Sequence, residues 1–197
     1  MRTIIIARHG NTFESHQTPT RVGRRTDLDL TATGLVQAQA IGRWLLDQGL
    51  QVDTAYCSPL KRTRQTAQAA LHTAYGTDAP AIQTLDFLNE IDYGVDENKP
   101  ESDVIARIGA EAIQKWDHDG IAPMGWDVDP NKIIRNWQDF FKDCPENHTI
   151  FAVTSNGTAR FIPDALHIPV SNRKLKTGAT AWFEDLGTGW TLKSWNL

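Results

Sequence analysis

Residues Ile4-Ile5-Ile6-Ala7 form an unbroken apolar run rich in β-branched side chains, and the run stops abruptly at Arg8-His9-Gly10-Asn11-Thr12. A strand with one wet face alternates apolar and polar residues. A continuous run belongs to a strand buried on both faces, as in a parallel sheet covered by helices. In open α/β sheets ligands sit beyond the carboxyl ends of the strands, which is where this chain carries an arginine, a histidine and a glycine. Arginine offers a planar fork to phosphate oxygens and stays charged at any working pH. Histidine is a nucleophile or proton carrier near neutrality, and glycine lets a backbone N–H approach a ligand closely. The plain alternative is a strand-end turn whose Arg8 and His9 are merely solvated.

Further apolar runs predict strands at about 52–57, 149–154 and 179–184, with another near 190–195. Helical spacing predicts a helix from Thr31 to about Leu46, stopped by Gly49. A second runs from Pro59 to about Tyr75, with Ser58 as its N-cap and Pro59 at its first position. Helices are also expected over about 101–116 and 130–143, and from Gly157 to about Leu166. Strands alternating with helices predict an α/β fold with a mostly parallel sheet and helices on both faces. The turn-rich, aromatic segment 117–130, entered from Trp116, is read as an insertion packing its tryptophans on the core. Its alternative is a lid or pocket wall.

At 197 residues one domain spanning 1–197 is expected. The net charge of −4 argues against a nucleic-acid binder that works through bulk positive charge. No apolar run reaches bilayer length, so no membrane partner is expected. The first strand starts at once, leaving no room for a signal peptide, and a cytoplasmic location is the default. Cys57 and Cys144 have no metal or disulfide spacing. Asp117-His118-Asp119 is the one tempting acidic-histidine cluster, and consecutive residues rarely all face one ion. No metal and no cofactor are expected.

A second chemical cluster, Ser58-Pro59-Leu60-Lys61-Arg62, follows the second strand. Arg62 in the first helical turn can point back to the sheet's carboxyl edge, while Lys61 and Arg64 read as a solvated face. In a parallel sheet both strand ends share that edge, so Arg8, His9 and Arg62 can converge with a helix N-terminus on a phosphate group.

Arg8-His9-Gly10-Asn11-Thr12, Ser58-Pro59-Leu60-Lys61-Arg62 and Gln65-Thr66-Ala67 together resemble the histidine phosphatase superfamily, the phosphoglycerate-mutase-like proteins. Asp27-Leu28-Asp29-Leu30-Thr31 with Gly34 and Gln37-Ala38 matches the next motif, and Leu88-Asn89-Glu90 the segment carrying the family's acid. The resemblance implies a phosphoglycerate-mutase-like three-layer sandwich acting on a small phosphorylated substrate. It implies His9 as nucleophile, Arg8 and Arg62 as phosphate clamps, and Glu90 as general acid and base, with Asp92 the nearest competitor. Asn11, Thr12, Asn156 and Gly157 would complete the phosphate site.

Val153-Thr154-Ser155-Asn156-Gly157 with Arg160 falls where the family carries a second histidine followed by glycine, and the expectation places Asn156 at that position. Asparagine can donate through its NH₂ but cannot become cationic, a loss that Arg21, Arg24 or Arg25 would rebalance. Ser15 stands where many relatives carry asparagine. His148 and His167 are expected at the surface. Arg21, Arg24 and Arg25 either favour a second anionic group on the substrate or are solvated. A phosphatase is the leading expectation. A mutase-type phosphotransferase and a catalytically weak phosphate-binding domain are the alternatives.

Overall fold

The computed structural model describes residues 1–197. Strand β1 (Arg2–Arg8) leads through a long loop to helix α1 (Ala32–Asp47), then β2 (Thr54–Cys57), α2 (Lys61–Tyr75) and β3 (Ile82–Thr84). Helices α3 (Glu101–Ile108), α4 (Ala110–Asp119) and α5 (Pro130–Lys142) precede β4 (His148–Thr154). Two short helices, α6 (Asn156–Ala159) and α7 (Ile162–Leu166), and the hairpin strands β5 (Thr180–Asp185) and β6 (Trp190–Trp195) complete the chain.

The strands make one sheet in the order β3-β2-β4-β1-β5-β6. β3, β2, β4 and β1 run parallel, and β5 and β6 add an antiparallel edge. β1 lies inside the sheet and is buried on both faces. Ile4 and Ile6 enter the core under α5 and α7, while Ile5 and Ala7 enter the core under α1 and α2. The three-layer α/β architecture expected from the sequence is therefore the one observed. No helix is long and apolar enough to cross a membrane.

Four local expectations are corrected. α2 begins at Lys61 rather than Pro59, and Ser58 is not its cap: the Ser58 hydroxyl pairs with Thr63 at 2.6 Å. The Lys61 N–H is met instead by the Asp27 carboxylate at 2.7 Å, from a loop remote in sequence. The helix expected over 101–116 breaks at Gly109, whose φ of +84° suits glycine. The helix expected from Gly157 to Leu166 breaks after Ala159, because Pro163 has no N–H to give the Ala159 carbonyl. β3 has three residues, too few for a periodic signal.

Trp116 and Trp126 sit in the larger core, edge to face at 5.4 Å, and Tyr93 meets Trp126 at 4.7 Å. Such pairs add about 0.5–1.5 kcal/mol each beyond their buried area. The segment after α4 thus packs its tryptophan on the core, as expected. Trp116 and Asp117 also line a cavity, so its start is a pocket wall as well.

Candidate active site

A cavity of about 720 Å³ opens at the carboxyl edge of the parallel strands. Its floor is formed where β1 and β4 end together. Arg8 is in register with Thr154, and the His9 N–H donates to the Thr154 carbonyl at 3.1 Å. Gly10 follows, packed so tightly on Gly34 that a Cβ would lie 2.3 Å from the Gly34 carbonyl oxygen. That close approach fixes the Gly10 carbonyl, and His9 Nδ1 lies 2.8 Å from it. A carbonyl can only accept, so Nδ1 carries the proton and Nε2 keeps its lone pair.

Arg62 faces that lone pair. Its Nε donates to His9 Nε2 at 3.2 Å, and its two terminal nitrogens donate to the carbonyls of Thr26 and Gly23 at 2.8 and 3.2 Å. The side chain is fully buried. Burial, then the Arg62 and Arg8 charges, hold the His9 pKa well below the usual imidazole value, against a smaller opposing pull from the Gly10 carbonyl. The lowered pKa disfavours the imidazolium, and the Gly10 carbonyl selects the Nδ1–H tautomer. Arg8 lines the cavity and donates to the Leu175 carbonyl at 2.9 Å.

Glu90 is buried in the same cavity. Its oxygens accept from the N–H groups of Ile91 at 2.8 Å and Gly157 at 3.3 Å. Burial raises its pKa, outweighing those two hydrogen bonds and the Arg62 and Arg8 charges. A nucleophile with an unprotonated Nε2, a carboxyl whose pKa is raised by burial and the Arg8 guanidinium thus share one cleft, with Arg62 donating to the nucleophile.

A model of the histidine phosphatase superfamily (branch 1) matches residues 4–197. The chain belongs to the histidine phosphatase superfamily. Among its relatives is the 2,3-bisphosphoglycerate-dependent phosphoglycerate mutase of Mesorhizobium japonicum, 31% identical over 143 residues, covering 72% of this chain and 68% of the mutase. The mutase of the same name from Methylobacterium sp. (strain 4-46) is 35% identical over 115 residues, covering 58% of this chain and 54% of that one. The chain spans about half the length of most of the curated mutases it matches. Its fold is similar to that of a mycobacterial glucosyl-3-phosphoglycerate phosphatase, with a TM-score of 0.79 at 18% identity over 100% of this chain and 99% of the other. It is also similar to the phosphoserine phosphatase of Entamoeba histolytica in complex with 3-phosphoglyceric acid, with a TM-score of 0.76 at 23% identity over 100% and 98% of the two chains.

On this histidine phosphatase scaffold the expected site residues divide. Arg8, His9, Asn11, Thr12, Glu90 and Asn156 all line the cavity. Arg62 reaches it only through His9. Gly157 lies outside the lining, and its N–H seats Glu90. The Asn11 NH₂ is already given to the Phe13 carbonyl at 2.6 Å, which pins the loop. Asp92 faces a second, smaller cavity and pairs with Arg25 at 2.9 Å. Arg24 lines that second cavity too, leaving Arg21 as the one member of the loop trio that reaches the first.

Continuing the β1–β4 register by one residue sets Ser155, not Asn156, beside His9. The Ser155 hydroxyl is buried with no partner. Asn156 stands one residue on, its Oδ1 accepting from the Leu175 N–H at 3.0 Å, so its NH₂ points away from Leu175. His148 pairs with Thr54 at the far end of β4, and His167 caps α7 away from the site. Sequence reasoning assigned no role to Arg160 or Tyr93. Arg160 was legible in principle, since it lies four residues after Asn156 and so on the same face of a helix.

Proposed function

We propose that this chain hydrolyses a small phosphomonoester through a phosphohistidine on Nε2 of His9. The observation that carries this reading is the fixed tautomer: Nδ1–H is spent on Gly10, and the Nε2 lone pair lies in the cleft that holds Glu90. Nε2 attacks phosphorus and the bond from phosphorus to the ester oxygen breaks. Glu90 gives its proton to the departing alkoxide and becomes a carboxylate. Water then attacks the phosphohistidine, Glu90 takes the proton from that water, and the P–N bond breaks to release inorganic phosphate and restore His9.

Arg8 holds phosphoryl oxygens throughout, where electrostatic positioning supplies most of the rate. Arg62 keeps Nε2 aimed in the resting state. When that lone pair bonds phosphorus, the Arg62 Nε–H is freed for a phosphoryl oxygen. Thr12 and the Asn156 NH₂ add neutral donors.

The test is hydrolysis of an aryl phosphate, without added metal, by the wild type and by His9→Ala. The wild type is expected to turn over and, when quenched early, to carry one phosphoryl group by intact-mass spectrometry. His9→Ala is expected to do neither. Hydrolysis that survives His9→Ala refutes the nucleophile assignment. The mutase reading rests on the phosphoglycerate mutases at 31–35% identity. It predicts that a phosphoglycerate is isomerised rather than split to inorganic phosphate. Phosphate binding with neither reaction would leave a binding domain.

A further inference from the structure

The Arg62 guanidinium is held by one small turn. Gly23–Thr26 closes on itself, the Thr26 N–H donating to the Gly23 carbonyl at 3.3 Å. The same two residues offer their carbonyls to the terminal nitrogens of Arg62. That engagement leaves the Nε–H of Arg62 to face His9 Nε2. The aim of the nucleophile is therefore no firmer than the turn. Its two central residues, Arg24 and Arg25, are exposed and give it no apolar anchor.

Glu97 supplies the anchor. Its side chain is 5% exposed and belongs to the segment that begins with Glu90. One carboxylate oxygen accepts from the Arg25 N–H at 2.5 Å and from the Thr26 hydroxyl at 3.0 Å. The other accepts from Arg25 Nε at 3.3 Å and lies against Gly23, where a Cβ would stand 2.5 Å from it. A turn closed between its first and last residues leaves the N–H of its third residue free, and a charged acceptor is the stronger partner for it. The neighbouring bonds, from the Arg24 N–H to the Ile91 carbonyl at 3.1 Å and from Arg25 to the Gly94 carbonyl at 2.6 Å, reach only the central residues. Glu97 meets both residues whose carbonyls hold Arg62. It does not line the cavity, so its effect on the reaction passes through the turn.

We propose that Glu97 is the positioning residue of the nucleophile: its carboxylate fixes the turn Gly23–Thr26, the turn fixes Arg62, and Arg62 aims Nε2 of His9. This rests on the reading of His9 as the group that takes the phosphoryl. Because Glu90 and Glu97 lie on one segment, the seat of the acid and the aim of the nucleophile are set by the same stretch of chain.

The direct readout needs no turnover. In substrate-free, isotope-labelled protein, nuclear magnetic resonance should show a coupling across the hydrogen bond from Arg62 Nε to His9 Nε2. Glu97→Ala is expected to abolish it and to lower kcat/KM for a nitrophenyl phosphate about 10-fold, short of the about 10²-fold that a misplacement of about 1 Å costs. Glu97→Gln keeps an oxygen for the Arg25 N–H and the Thr26 hydroxyl, so it should restore the coupling and most of the rate. A purely structural role would lower the melting temperature of Glu97→Ala and leave the coupling in place. Should Glu97→Ala not fold, Glu97→Asp serves: it keeps the charge but falls one methylene short of the turn, and it too should lose the coupling. A wild type without the coupling, a coupling and rate that persist in these variants, or a Glu97→Gln as damaging as Glu97→Ala overturns the proposal. A wild type that shows the coupling yet hydrolyses no phosphate ester overturns the phosphatase reading instead, and the link from Glu97 to His9 stands.

Discussion

Gly157→Ala separates the seating of the acid from its chemistry. An alanine Cβ at this position would lie 2.0 Å from Glu90 Oε1 and 2.8 Å from Ile91 Cγ1. Contact for carbon begins at about 3.5 Å, so the carboxyl must retreat by roughly 1.5 Å. Displacing a catalytic group by 1 Å can cost about 10²-fold in rate, and the overpacking itself costs about 1–3 kcal/mol of stability. The loss should depend on the leaving group. Glycerol 3-phosphate releases a basic alkoxide that needs the proton, so its kcat/KM should fall about 10²-fold, within the usual range for general acid catalysis. A nitrophenyl phosphate releases a stable anion, and its kcat/KM should fall far less. Its kcat should still drop, because breakdown of the phosphohistidine needs Glu90 as base, and stopped-flow absorbance should show a burst of nitrophenolate. A thermal melt that remains cooperative excludes general unfolding. Equal losses of kcat/KM on both substrates, or no loss on either, refute the placement of Glu90 as leaving-group acid.

Three further outcomes are expected. First, kcat/KM should fall on the alkaline side as pH rises through the raised Glu90 pKa, above the ordinary carboxylate range, because the acid form is the active one. It should fall on the acid side only below the ordinary imidazole range, where His9 finally protonates. A pH–rate profile of Glu90→Gln that keeps the alkaline limb contradicts the assignment. Second, Asn156→Ala leaves the Leu175 N–H without its acceptor and loosens the segment whose carbonyl holds Arg8. Phosphate affinity, read as competitive inhibition, should weaken about fivefold, the equivalent of about 1 kcal/mol. Third, Trp126→Phe removes the indole N–H that donates to Asp96 at 2.7 Å. The buried carboxylate keeps Arg107, so the cost should be about 1–3 kcal/mol, seen as a lowered melting temperature. Arg107, then Trp126, hold the Asp96 pKa below the usual carboxylate range. The deficit should therefore narrow as pH falls through that lowered value and the carboxylate is lost in both proteins.

What was legible in the sequence was whatever local physics decides. The apolar run of β1, the start of α1 within one residue of Thr31, and the meeting of Arg8, His9 and Arg62 all follow from neighbours a few residues apart or from parallel topology. What was not legible depends on partners far along the chain. The cap of α2 comes from Asp27, remote in sequence, while the Ser58 hydroxyl meets Thr63 and the Leu60 N–H, a placement that spacing alone does not reveal. The opposing pulls on Glu90 could not be weighed either. Two arginines lower its pKa and burial raises it, and only the enclosure of the carboxyl beneath Gly157 decides for burial.

The departure around Asn156 shows the same limit and also what fills the gap. Motif spacing aligned Asn156 with the missing histidine, whereas strand register sets Ser155 beside His9 and gives Asn156 the task of holding Leu175. Neither side chain supplies a cation. The cavity nonetheless is lined by Arg8, Arg21, Arg160 and Lys174, with Arg62 donating to His9. The Glu90 carboxyl contributes no negative charge in its acid form. The positive charge of this site therefore comes from arginines and a lysine contributed by several segments rather than from a second imidazole. A second histidine would place its charge beside His9. Installing histidine at 155, beside His9, should therefore alter phosphate affinity or the pH profile more than installing it at 156, where the side chain holds Leu175. A larger change in the variant at 156 than in the variant at 155 would show that strand register does not set which residue faces the phosphoryl group.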